Sequence, residues 1–231
     1  MRFVDTVART RAPAHDRSRA TMIPALESLH RLQAGNARFA SNVRGIETFL
    51  SQERRSELAK QQEPHAIILG CSDSRVPAEI VFDQGLGDLF VIRVAGNIVA
   101  PSQVGSVEYA AERFGTRLVV VLGHSQCGAV LATLEQLQRP VENQSRNLHA
   151  IVDRVRPSVA ALLETPLKHD LDALVGQAVR ANIRASVNQL RHGSDVLEQL
   201  IDREGLLVVG AEYSLETGLV DFFEGVTQQR L

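Results

Sequence analysis

Along the chain, apolar residues fall into two rhythms. Unbroken apolar blocks at 66–70 (AIILG), 89–96 (LFVIRVAG), 117–123 (RLVVVLG) and 205–213 (GLLVVGAEY) are short and rich in β-branched residues. Such blocks predict strands buried on both faces. Between them the apolar positions recur at helical spacing. ALESLHRLQAGNARFA places Leu26, Leu29, Leu32 and Phe39 along one face. A polar helix is expected over roughly 51–61, ending before Pro64, and a short one near Pro77. PSQVGSVEYAAERFG reads as a helix with Pro101 near its start and Gly115 past its end. CGAVLATLEQL continues the pattern, followed by a long helical stretch from 147 to about 192, with breaks expected near Pro157 and at Thr165–Pro166. A last helix over about 195–202 leads into the fourth strand, and LETGLVDFFEG could add a fifth, antiparallel one at the sheet edge.

Alternating strands and helices predict an α/β fold: a mainly parallel central sheet of four strands, with that fifth edge strand, flanked by helices and carrying an extended N-terminal helical arm. The arm's apolar faces have no evident strand partner within the chain. Residues 22–231 read as one domain. Residues 1–21 differ, with five arginines and little apolar periodicity. They read as a tail, flexible or docked on a partner. A targeting peptide is the alternative, weakened by Asp5 and Asp16, and Met22 is an alternative start.

Composition narrows the function class. The 231 residues are 44% hydrophobic and 23% charged, with a formal net charge of −2, so nothing favours a nucleic-acid partner. No apolar run approaches the roughly 18 residues of a membrane span. Two cysteines make no disulfide scaffold and no secretory signal is evident, which points to a reducing, cytoplasmic location.

Ligands of open α/β sheets bind beyond the carboxyl ends of the strands, and there the polar residues gather. GCSDSR follows the first strand and GHSQCG the third, so both cysteines, Cys71 and Cys127, fall at strand ends. Cys71, His124 and Cys127 offer the N/S donor set that zinc favours, with water or Asp73 for a fourth position. Two thiolates already neutralise a divalent ion. Arg75, two residues after Asp73, would compete for that carboxylate as a bidentate partner. Each residue alone has a plainer reading: a buried cysteine is usually a small hydrophobe, and a lone histidine a core or capping residue. A thiol redox pair is a weaker alternative because no CxxC occurs. The nucleotide-binding alternative lacks GxGxxG or GxxxxGK[ST] after a strand. Gly128 is expected to let a helix N-terminus approach the site.

In order, CSDSRVPAE, FVIRVAGN, VEYA and VVLGHSQCGAV resemble the β-class carbonic anhydrase family, over about 24–225 and most specifically over 62–130. The resemblance implies a carbonate dehydratase that reversibly hydrates CO2 to bicarbonate and a proton through a zinc-bound hydroxide. It implies one Zn2+ per subunit, ligated by Cys71, His124 and Cys127, with Asp73 as a further ligand only in a closed state. Asp73 and Arg75 become a dyad that orients or gates the site. Phe90, Ala95 and Tyr109 match substrate-pocket positions, and Gln62 a residue that reaches substrate across a dimer interface. A homodimer or homotetramer is implied, with the N-terminal helices exchanged between subunits. Arg93 and Tyr213 match two of three residues of a regulatory bicarbonate site, but Ile68 stands at the third position, a tryptophan in such members, and the chain has no tryptophan. Arg93 is otherwise expected to pair with Asp88 or Glu108. A zinc-binding regulator without hydration activity and a hydrolase of CS2 or COS are the remaining readings.

Overall fold

The computed structural model describes residues 23–43, 55–56, 58–139 and 145–226. Five strands form one sheet in the order β2-β1-β3-β4-β5: β1 Ala66–Gly70, β2 Leu89–Arg93, β3 Leu118–His124, β4 Leu207–Tyr213 and β5 Val220–Glu224. The first four run parallel and β5 returns antiparallel to β4. The fifth strand is therefore present at the predicted edge. Every residue of β1 and β3 is buried, which explains their unbroken apolar sequence. β2 stops at Arg93, short of the predicted 96, because the Asn97 amide turns back to the Val94 carbonyl at 3.1 Å.

Helices cover both faces. On one side lie α1 (Ala25–Ala40) and the single turn α2 (Ala78–Val81). On the other lie α3 (Pro101–Arg113), α4 (Gly128–Gln138), α5 (Arg146–Val159), α6 (Leu171–His192) and α7 (Asp195–Glu204). Local chemistry sets these limits. The Asp170 side chain accepts from the Ala173 amide at the start of α6, and Ser194 accepts from Leu197 at the start of α7. Two 3-10 turns over 160–164 and 166–169 separate α5 from α6. The expected break near Pro157 comes later. Pro157 lies inside α5, where it forgoes the hydrogen bond to the Asp153 carbonyl without stopping the helix at once, and the helix ends at Val159.

The expectation that the arm's apolar face lacks an intrachain partner does not hold for α1. Leu29 and Leu32 are buried in one cluster with Ile68, Val120 and Phe82 of the same chain. Burying each such side chain contributes about 1.5–3 kcal/mol relative to exposure. Phe39 packs at the rim of that cluster, whereas Leu26 is left exposed. The predicted helix over 51–61 lies mostly outside the described residues, as does the tail at 1–21.

The connection from β1 crosses to β2 on one side, while β3 lies on the other. This reversal opens a crevice beyond the carboxyl ends of β1 and β3. Cys71 is the first residue after β1, and His124 is the last of β3.

Candidate metal centre

Three side chains converge in that crevice. The Cys71 and Cys127 sulfurs and a ring nitrogen of His124 all lie within 4.8 Å of one another, and all three residues are buried. Backbone geometry accounts for the convergence. Cys127 stands at the N-cap of α4, where the nearby backbone amides of Val130 and Ala129 favour its thiolate. Gln126, at φ 54°, turns the chain between His124 and Cys127. The expected role of Gly128 is not supported by the packing, because an added Cβ there would meet nothing within 4 Å.

The His124 ring is oriented for a ligand. Its Nδ1 lies 2.9 Å from the Ser125 carbonyl, an arrangement that puts the proton on Nδ1 as donor and leaves Nε2 with a lone pair. Nε2 is buried and has no hydrogen-bond partner, which is costly for a polar atom. The sulfurs show the same tension. Cys71 is drawn below its ordinary pKa, first by the neighbouring Cys127 thiol and then by His124 and the backbone amides of Gly96 and Asp73, against the cost of burial. Cys127 is pushed up, since Cys71 beside it takes the negative charge first and burial adds to the effect. Burial opposes charge on His124, but the neighbouring Cys71 thiolate pulls its pKa up. A divalent cation would resolve all of this: it would use the orphaned Nε2 lone pair and let both sulfurs be thiolates. The donor set fits zinc.

Asp73 stands at the rim. Arg75 holds it bidentately, with Nε to Oδ1 at 2.9 Å and NH2 to Oδ2 at 2.8 Å, while the Arg75 amide adds a third bond at 3.0 Å. These bonds hold its carboxyl well below the usual range. Asp73 Oδ2 lies 3.9 Å from His124 Nε2, so the carboxylate borders the donor set while its oxygens are engaged by Arg75. Arg93 pairs with neither Asp88 nor Glu108. It donates to the carbonyls of Cys71 (3.0 Å) and Asp73 (2.6 Å) and so braces the turn between them. Glu108 instead accepts from Ser194, and Asp88 from the Gly85 amide.

The residues matched to a substrate pocket are placed differently. Ala95 adjoins Gly96, whose amide reaches the Cys71 sulfur at 3.3 Å. Phe90 pairs in register with Ile67, on the edge strand, and meets Tyr109 of α3 at a centroid distance of 6.3 Å. Tyr109 is 53% exposed. Gln62 is exposed on the segment entering β1. Ile68 is fully buried in the α1-side core with Tyr213.

The carbonic anhydrase family model matches residues 66–220, the whole span from β1 to the start of β5. The chain belongs to the β-class carbonic anhydrase family. A carbonic anhydrase of Mycolicibacterium smegmatis is 41% identical over 192 residues, covering 82% of this chain and 89% of that protein. Carbonic anhydrase 2 of Mycobacterium tuberculosis is 38% identical over 187 residues, covering 81% and 87%. Among solved structures, a β-carbonic anhydrase of Aspergillus fumigatus shares the fold at TM-score 0.67 and 24% identity, covering 77% of this chain and 83% of that one.

Sequence reasoning missed the residues that hold these turns. The Gly96–Asn97 turn is tied to α6 by Asn182 and Ser186. Their signal was available: two polar residues four apart on a helix face that otherwise presents Val179, Ile183 and Val187.

Proposed function

We propose that the protein is a carbonic anhydrase that catalyses reversible hydration of CO2 to bicarbonate and a proton, with one zinc ion per subunit held by Cys71, His124 and Cys127. The observation that carries this reading is the buried, unpartnered Nε2 of His124 facing two thiols. When bound, zinc would supply Lewis acidity that brings the pKa of water down toward neutrality.

The chain's own residues do the rest. Arg75 keeps Asp73 ionised, and Asp73 Oδ2, at the rim, accepts a hydrogen bond from the reacting water and orients its lone pair toward CO2, while the proton released in hydration leaves to solvent. Should Arg75 release it, the same carboxylate would enter the donor set and exclude water, so the Asp73–Arg75 pair would gate the site. Ala95 and Phe90 form apolar wall suited to CO2, and Tyr109 extends it outward. Gln62 would complete the pocket from a neighbouring subunit. The exposure of Gln62 and Tyr109, with the edge of β2 open, favours a homodimer or homotetramer, and a Sordaria macrospora neighbour comes from a study of two tetrameric β-carbonic anhydrases. The two reduced cysteines favour a cytoplasmic setting, and among the described residues no helix is long and apolar enough to cross a membrane.

Stopped-flow CO2 hydration on zinc-replete protein tests the proposal. Catalysis is expected in the native chain, with Cys71→Ser folded but at least about a thousandfold slower. Zinc-bound native protein without hydration activity at alkaline pH would refute it.

A further inference from the structure

The long helix α6 touches both ligand-bearing turns. Gly123, just before His124, and Gly210 on β4, which pairs in register with Val121, leave a hollow that Ile183 fills. An added Cβ would lie 2.5 Å from Ile183 Cδ1 at Gly123, and 2.7 Å from Ile183 Cγ2 at Gly210. These glycines let α6 sit close against the sheet, as an isolated glycine in a strand does where another element approaches. The residue before Ile183 is Asn182, and at this depth its side chain reaches the Gly96 carbonyl.

The contact is buried and specific. Asn182 Nδ2 donates to Gly96 O at 2.7 Å, and Ser186, one helical turn on, donates from Oγ to Asn97 O at 3.0 Å. The turn they hold is unusual in its backbone. Gly96 has φ 72° and Asn97 has φ 43°, two successive residues in the left-handed region. For asparagine this conformation persists only where its surroundings hold it. The product of holding it is one hydrogen bond: the Gly96 amide directed at the Cys71 sulfur, 3.3 Å away.

We propose that Asn182 is a positioning residue for the Cys71 thiolate, fixing the turn whose Gly96 amide donates to that sulfur and thereby setting how much charge the sulfur gives the metal. An amide hydrogen bond withdraws electron density from a metal-bound thiolate, and such outer partners govern affinity and electronics at a metal site. A plain satisfying role for a buried carbonyl accounts for a donor at position 182. It does not account for the convergence of two donors from α6 on a turn whose amide reaches the sulfur. This inference rests on Cys71 being a metal ligand.

The test uses the full-length protein loaded with cobalt(II) in place of zinc. Asn182→Leu keeps the branched side-chain shape and removes the donor. Its sulfur-to-cobalt charge-transfer band is expected to move to lower energy than in native protein, and its metal affinity, from chelator competition, to fall about tenfold. Ser186→Ala, which frees only the second carbonyl, is expected to shift both readouts the same way by a smaller amount. It carries the test alone if Asn182→Leu does not fold. A band position and affinity unchanged in the folded variants would overturn the proposal, because a merely structural role moves stability without moving the band. Native protein that binds neither zinc nor cobalt would remove the metal reading itself, and the role of Asn182 with it.

Discussion

The two faces of the sheet are fastened to their helices by different means. On the α6 face two buried polar ties reach the site: Asn182 and Ser186 hold the turn beside Cys71, and Ile183 fills the hollow next to His124, while Arg180 and Arg191 tie the same helix to β4 and β5. On the α1 face the ties lead elsewhere. Asn36 donates to the carbonyls of Val81 (3.1 Å) and Gly218 (2.9 Å) and accepts from the Val220 amide (2.8 Å). Ser28 donates to the His65 carbonyl at 2.6 Å, and the His65 ring bonds Gln84 at 2.9 Å. These contacts join α1 to α2, the start of β1 and the β4–β5 turn. One face carries ties that reach the candidate site, whereas the ties of the other secure the fold alone.

Substitutions can separate the two roles. Gly123→Ala should have the largest effect, since its Cβ would collide with Ile183 just before His124. Overpacking of this kind costs about 1–3 kcal/mol. Here it should also lower zinc affinity about tenfold, as displaced outer partners do. Trimming the obstacle in Gly123→Ala/Ile183→Val should recover part of both. Asn36→Ala should cost about 2 kcal/mol by leaving buried partners unsatisfied, yet leave zinc affinity unchanged. Denaturant unfolding and chelator competition on the same samples read both quantities. If Asn36→Ala weakened zinc as much as Gly123→Ala, the division between faces would fail.

The smallest effect concerns pH. Burial holds the His65 imidazole below its ordinary pKa of 6.5, outweighing the Gln84 hydrogen bond and the nearby Asp88 and Glu27, with Arg31 adding to the depression. The unfolded chain therefore binds a proton at a higher pH than the folded one. The stabilisation from a neutral His65 is complete above about pH 6.5 and is lost as pH falls through the folded value. Below pH 6.5 the native protein should lose stability more steeply than His65→Gln, by at most about 1.4 kcal/mol per pH unit. Thermal melts across pH 5–7 measure the difference; parallel profiles would show that His65 contributes nothing.

Much of this was legible in the chain. β1 and β3 announced themselves as unbroken apolar blocks, and the cysteines and histidine at their ends carried a chemistry that packing alone does not need. The rest depended on depth. Arg93 was read as an ion-pair partner because charge is visible in sequence, whereas the carbonyls it braces are not. Asn182 sat within an ordinary helical rhythm, and only the approach permitted by Gly123 and Gly210 gives its amide a target. Glycines inside apolar strand blocks were the sequence signal for that approach. Tyr109 and Gln62 are exposed in one chain, so the chain alone leaves their part of the pocket open.

X-ray absorption at the zinc edge tests the central claim most directly. The account predicts a four-coordinate ion with two sulfurs at about 2.3 Å, one imidazole nitrogen and one further light atom, and a single sulfur in Cys71→Ser if that variant retains metal. A native spectrum without sulfur, or with none of the scattering of an imidazole ring, would contradict it.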